Sequence, residues 1–188
     1  MDAGLATDII RVDRGSLAQW RDGITSVYAQ VFQAAPWHET DDTVTWFGGE
    51  WLDYCVRLDS FRCFAATRDD TVVGFSMGLR FEEHHDWFSA LAKQLELDPS
   101  VDWLSDTFFV HELAVLQTHR GCGIGSGLHD ALLASTPSPL ALLTTNAVGP
   151  APAAVLFARR GWKFLLESWE ARPGDSPQHV MGLRKDEP

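Results

Sequence analysis

Residues 106–125 read DTFFVHELAVLQTHRGCGIG, and the division of this stretch decides the fold. Its first half, Asp106 to Leu116, is a nearly continuous β-prone run and suits a buried strand. Gln117-Thr118-His119 interrupts the run, and Arg120-Gly121-Cys122-Gly123-Ile124-Gly125 forms a glycine-rich turn. Beyond it Ile124, Leu128, Leu132 and Leu133 recur at helical spacing. A strand feeding a helix through glycines has a physical meaning. The first N–H groups of a helix lack intrahelical partners and carry positive partial charge. Glycines remove the Cβ atoms that would hold a phosphate away from them. Arg120 can add a charge-assisted hydrogen bond.

Working outward, Pro137 and Pro139 precede another strand, Leu140 to Thr145. A helix is expected from about Ala151 to Arg160, with Gly161 as its C-terminal cap. Strands near Trp162–Trp169 and Gln178–Arg184 complete the chain. Upstream, Ile9 to Val12 reads as extended, and Gly15-Ser16 caps a helix whose apolar face is Leu17, Trp20, Ile24, Tyr28, Val31 and Phe32. Pro36 ends it. A second helical stretch, Asp42 to Leu58, is weakened by Gly48-Gly49. Arg62–Thr67 and Thr71–Phe81 flank Asp69-Asp70 and read as a hairpin. Residues 82–105 read as an inserted segment with one short helix, suited to act as a lid. The expected architecture is one α/β domain over 1–188, around a central mixed, mostly antiparallel sheet of six to seven strands.

The totals narrow the function. The length of 188 residues suits one domain, and no apolar run approaches the roughly 18 residues of a membrane span. No secretory signal is visible, so a cytoplasmic location is expected. Cys55, Cys63 and Cys122 are too scattered for a disulfide framework or a metal pair. His84-His85 with Glu82, Glu83 and Asp86 lacks helical ligand spacing and reads as a solvated loop, so no metal is expected. The formal charge of −11 repels nucleic acids and anionic membranes and favours cations.

Two phosphate-binding patterns fail. The dinucleotide fingerprint needs G-x-G-x-x-G in the first strand–helix unit, whereas Gly121, Gly123, Gly125 and Gly127 alternate past mid-chain. The P-loop needs a lysine, which is absent. The turn instead resembles motif A of the GNAT family of acyl-coenzyme A-dependent N-acyltransferases, with Arg120, Gly123 and Gly125 in its fixed positions. Glu112-Leu113-Ala114-Val115 looks like the strand this family places beside the thioester. Asn146, Ala153, Leu156-Phe157 and Gly161-Trp162 are similar to its motif B.

The resemblance implies acetyl-coenzyme A as cofactor. It implies that the backbone of Gly121, Cys122, Gly123, Ile124, Gly125 and Ser126 holds the diphosphate. The strand Leu113-Ala114-Val115 would pair with the pantetheine arm, which Asn146 and Phe157 would flank. Acetylation of an amine needs a base, because an alkylammonium with a pKa of about 10.4 is not nucleophilic. His111 is the first choice, since a histidine titrates near neutrality, and Glu112 the second. The tyrosine that many relatives use as the acid is replaced by Phe157, and the only tyrosines are Tyr28 and Tyr54 in the N-terminal helices, of which Tyr54 could reach a cleft. Trp37, Glu39 and Trp87 are expected on the acceptor side, where aromatic faces beside carboxylates suit a cation, and Trp103 belongs to the same rim. The expected acceptor is a small, cationic primary amine. A protein α-amine or lysine, or a non-catalytic coenzyme A-binding module, is the alternative. A homodimer is compatible with the resemblance.

Overall fold

The computed structural model describes residues 7–81, 87–96, 102–148 and 152–186. Seven strands form one mixed sheet in the order β1-β2-β3-β4-β5-β7-β6: β1 Asp8–Arg11, β2 Arg62–Arg68, β3 Thr71–Arg80, β4 Thr107–Val115, β5 Leu140–Asn146, β6 Lys163–Trp169 and β7 Gln178–Arg184. β4 and β5 are parallel, and the neighbours β1–β2, β2–β3, β5–β7 and β6–β7 are antiparallel. By backbone contacts the chain divides into two compact units, Met1–Gly78 with Glu112–Thr136, and Leu79–His111 with Pro137–Pro188.

In the first unit the expected helix is α1, Leu17–Phe32, which buries Leu17, Ile24, Val27, Tyr28 and Phe32. Its start is capped differently from expectation. Ser16 makes no side-chain cap; the carboxylate of Asp13 instead accepts the N–H groups of Gly15 at 2.9 Å and Ser16 at 3.0 Å. Those amides hold the Asp13 carboxyl below its ordinary pKa. The stretch weakened by Gly48-Gly49 is helical throughout: α2 Asp41–Trp46, a π turn Phe47–Trp51, and α3 Leu52–Cys55. Gly48 is there for proximity, because a Cβ on it would lie 2.6 Å from Thr25 Oγ1 of α1. Tertiary packing overrides the low propensity of glycine.

The two faces of this unit's sheet differ. Ser76 of β3 donates to the Leu128 carbonyl at 3.1 Å, so even-numbered residues Gly74 and Ser76 face helix α5, Ile124–Ala134. Ala66, Val73, Val115, Ile124 and Leu128 form an aliphatic core there. Phe75 faces the other way and packs on Phe47, ring centroids 5.8 Å apart, while Phe47 stacks on Tyr28 at 3.8 Å.

In the second unit Phe81, Leu91, Leu95, Trp103, Phe109, Leu142 and Val180 form the core. Leu91 and Leu95 belong to α4, Trp87–Leu95, the short helix expected in the inserted segment. Trp103 is 5% exposed and a Cβ on Gly182 would meet its ring at 2.6 Å. The segment therefore supplies core, and Trp103 is a packing residue rather than part of a rim. Residues 82–86 and 97–101, which include His84, His85 and Pro99, lie outside the described residues. Helix α6, Pro152–Ala158, ends as expected at Gly161, whose φ is +84°. Gly161 N–H donates to the Ala158 carbonyl and Trp162 N–H to that of Phe157, which together make the Schellman pattern of helix ends.

Candidate active site

Strand β4 enters the first unit at Glu112, and its two edges are used differently. Leu116 N–H donates to the Val73 carbonyl at 2.9 Å, and the Ala114 carbonyl lies 2.9 Å from where a Cβ on Gly74 would sit. Residues 114 and 116 thus turn their backbone groups to β3. Alternation turns those of Leu113 and Val115 to the opposite edge. The parallel register of β4 with β5 covers Thr107–Val110 against Leu140–Leu143 and stops there. Arg120 Nε donates to the Val115 carbonyl at 3.0 Å. An extended chain of amides could pair with this edge of β4 at Leu113 and Val115.

After a single 3-10 turn, Gln117–His119, the chain reaches the glycines. Gly121 and Gly123 have φ of +77° and +82°, and a Cβ on either would meet nothing within 4 Å. Left-handed backbone explains why glycine stands at both positions, and the open space explains how an anion can approach. Gly123 is the N-cap of α5 and brings no side chain to cap it. The first intrahelical bond runs from Gly127 N–H to the Gly123 carbonyl, so the amides of Ile124, Gly125 and Ser126 precede it. Among the described residues the η nitrogens of Arg120 have no acceptor. Bare amides, a helix dipole and a guanidinium at one open turn fit a diphosphate. Cys122 is exposed in this turn, whereas burial pushes the Cys63 thiol up to about 12 and also raises that of Cys55.

The remaining expected residues fall on several elements. Glu112 is half-buried on β4, three residues before Val115 of the α5-side core, and alternation puts its side chain on the opposite face. Its charge is felt there by Tyr28 and Cys55. His111 is half-buried, and its ring meets that of Phe109 edge-on at 6.2 Å. Asn146 is buried at the end of β5, where its Oδ1 accepts from Val148 N–H at 3.1 Å and its Nδ2 donates to the Val148 carbonyl. Phe157 is 4% exposed and packs on Trp162, so it is a core residue with no proton to offer. Trp37 is half-buried with its edge on Phe32, 5.8 Å between centroids, and Glu39 N–H donates to the Phe32 carbonyl at 2.9 Å. Trp87 begins α4, but its side chain falls outside the described residues. Among the described residues no helix is long and apolar enough to cross a membrane.

A family model described as the Acetyltransferase (GNAT) family matches residues 21–162. The chain belongs to the GNAT family. It is accordingly an acyltransferase, of a family that draws its acyl group from acetyl-coenzyme A. No curated protein matches the chain in sequence. Solved structures share its fold at low identity. The ribosomal-protein-alanine N-acetyltransferase of Brucella melitensis is 18% identical with a TM-score of 0.64, covering 94% of this chain and 99% of that one. The aminoglycoside 6'-N-acetyltransferase of Enterococcus faecium is 14% identical with a TM-score of 0.64, at 96% and 98% coverage. A PaiA N-acetyltransferase of Thermoplasma acidophilum, solved with coenzyme A, is 11% identical with a TM-score of 0.59, at 96% and 99% coverage. The expected GNAT architecture, with its open, mostly antiparallel seven-stranded sheet, is what the chain adopts.

Proposed function

We propose that this GNAT protein transfers an acetyl group from acetyl-coenzyme A to the primary amine of a small, cationic molecule, both bound at once. The observation that carries the reading is the open, uncapped start of α5 with left-handed Gly121 and Gly123, directly after a strand whose free edge begins beyond Val110. The amides of residues 121–126 and Arg120 would hold the diphosphate. Leu113 and Val115 would pair with the pantetheine arm. The bound cofactor supplies an activated acetyl thioester.

The chain's own residues then have one task with a proton. The acceptor ammonium must give up a proton before its nitrogen forms the new C–N bond and the C–S bond breaks. Glu112 and His111 are the two candidates to receive it. The departing thiolate takes its proton from solvent, since Phe157 has none. That residue is also the reason to keep a second reading, a coenzyme A-binding module without turnover. The neighbours' names span both an aminoglycoside and a ribosomal-protein alanine, so the acceptor class rests on the charge of −11 and on Glu39, Glu112 and the aromatic residues of α1.

Cys122 gives a direct test. Coenzyme A should protect its exposed thiol from alkylation, while buried Cys55 and Cys63 stay unreactive with or without it. Thiol release from acetyl-coenzyme A in the presence of amines should then separate enzyme from module. Glu112→Gln should lower kcat by about 10²–10⁴-fold if this carboxylate is the base; the same loss in His111→Ala alone would move the role to His111. Alkylation of Cys122 at an unchanged rate under saturating coenzyme A would sink the placement of the cofactor.

A further inference from the structure

Trp46 closes α2 and Trp51 closes the π turn that follows, so the two rings belong to residues five apart. In an unbroken α-helix, residues at that spacing point roughly 140° away from each other. Here the rings stack, with 5.3 Å between centroids and 23° between planes. The π turn is the reason. Leu52 N–H donates to the Phe47 carbonyl five residues back, and the extra residue carries Trp51 round into line with Trp46. Tyr54 extends the stack, its ring 5.6 Å from that of Trp51. Trp51 is 6% exposed, but the stack ends in water, because Trp46 is 45% exposed. Single π turns inside helices frequently mark functional sites. The product of this one is a large ring held rigid from one side and open on the other.

The chain on either side of Trp46 is acidic. Asp42 stands one helical turn before it and Glu50 one π turn after it, and both are exposed. Asp53, further along, is paired with Arg21, whereas among the described residues Asp42 and Glu50 meet no cation. Val44 and Gly48 turn the other way, into a groove of about 410 Å³ against Asp22, Thr25 and Ala29 of α1. Trp46 is not a wall of that groove; it lies on the outward helix face, between two carboxylates.

We infer that this face is a docking surface for an arginine-bearing, basic segment of a protein partner, with a guanidinium laid on the open face of Trp46 between Asp42 and Glu50. A guanidinium is planar, so it can stack on an indole while its in-plane N–H groups reach carboxylates on both sides. An ammonium has no such plane. The net charge of −11 draws positively charged chains toward the protein. One exposed cation–π contact strengthens binding only about two- to fivefold. A ligand on this face must therefore bring several positive groups, as a chain segment does. A small molecule needs enclosing walls, which the outward face of a helix does not supply.

Hexa-arginine, hexa-lysine and spermine, each titrated calorimetrically into the full chain at about 50 mM salt, where surface charges are weakly screened, test the assignment. The variants are Trp46→Ala, the pair Asp42→Asn with Glu50→Gln, and a control pair, Asp69→Asn with Asp70→Asn. The control removes the same charge from the exposed turn between β2 and β3, where both residues have positive φ that asparagine accepts. Hexa-arginine should bind at least about threefold tighter than hexa-lysine and about tenfold tighter than spermine. Trp46→Ala and the Asp42/Glu50 pair should each weaken hexa-arginine by about threefold or more, and the control pair by less than about 1.5-fold. Coenzyme A should bind all of these proteins equally, so the cofactor reading stands or falls separately. Hexa-lysine binding as well as hexa-arginine overturns the stacked guanidinium, and spermine binding as tightly overturns the protein partner. Equal losses in the control pair mean a general field rather than a site, and that too overturns the proposal, as does an unchanged affinity in Trp46→Ala. If Trp46→Ala lowers Tm, the Asp42/Glu50 pair, whose side chains are exposed, decides by the same threshold.

Discussion

Helices α5 and α4 are held in place by opposite kinds of core. Beneath α5 the core is aliphatic, Ala66, Val73, Val115, Ile124 and Leu128, with Gly74 so close that a Cβ would come 2.9 Å from the Ala114 carbonyl and 3.2 Å from Leu128. Around α4 they are bulky: Phe81, Leu91, Leu95, Trp103 and Phe109, with Gly182 making room for the Trp103 ring. Small residues bring backbone to backbone and fix positions to tenths of an ångström. Rings fill volume and tolerate adjustment less evenly. The first solution belongs where main-chain amides do the binding, as they do at the start of α5 in the reading proposed here; the second belongs where the need is only to exclude water.

That contrast can be broken most forcefully at Trp103. Trp103→Ala empties the ring site against Gly182 and should cost about 3–5 kcal/mol of stability in urea unfolding. Gly74→Val tests the other core. It pushes on a backbone carbonyl rather than a flexible side-chain end, and should cost about 1–3 kcal/mol. If α5 is placed by this contact, Gly74→Val should also weaken coenzyme A binding at least tenfold in the protein that remains folded, a coupling Trp103→Ala should lack. Equal losses of affinity in both variants would erase the distinction. Gly123→Leu sharpens it further: a left-handed non-glycine residue costs about 1–2 kcal/mol, while the side chain fills the space above the amides, so affinity should fall far more than stability.

The smallest effect is expected at Asp13, on α1. Its carboxyl is held below the ordinary value by the amides of Ser16 and Gly15. A depressed pKa means the ionised form is the one bound in the fold. Its contribution is present above the unfolded pKa of about 3.9 and is lost as pH falls through the folded value. The difference in Tm between the wild type and Asp13→Ala should be constant near neutrality and vanish as acidification carries the pH through the folded value. A gap that persists there would assign the effect to the side chain's shape.

Much of this molecule was open to reading along the chain. The run from Thr107 to Val115 is a strand because its β-branched and aromatic residues suit a buried sheet, and Gly121 and Gly123 are left-handed because the turn into α5 requires it. Local rules sufficed because those features depend on neighbours a few residues away. They did not suffice for Gly48-Gly49. There the helix was legible but low propensity argued for a weak one, while closeness to Thr25 of α1 explains the glycine at 48 and the π turn was not foreseen. Nor did they suffice for Ser16, which has the right chemistry for a cap but lost the place to Asp13 three residues before it. Trp103 carries no mark in the sequence that separates a core ring from one on a rim; only the gap left by Gly182 decides it.

The amino-acid sequence alone determined the order of strands and helices, the position of the glycine turn and the resemblance to GNAT acyltransferases, since each is written in residues close together. The tertiary structure alone decided that Tyr28 of α1 stacks on Phe47 and that Glu112 of β4 lies on the face opposite the α5-side core. The physical reason is range. Backbone preference and periodicity act over a few residues, but a charge is felt through space, and which charges meet depends on how distant segments pack.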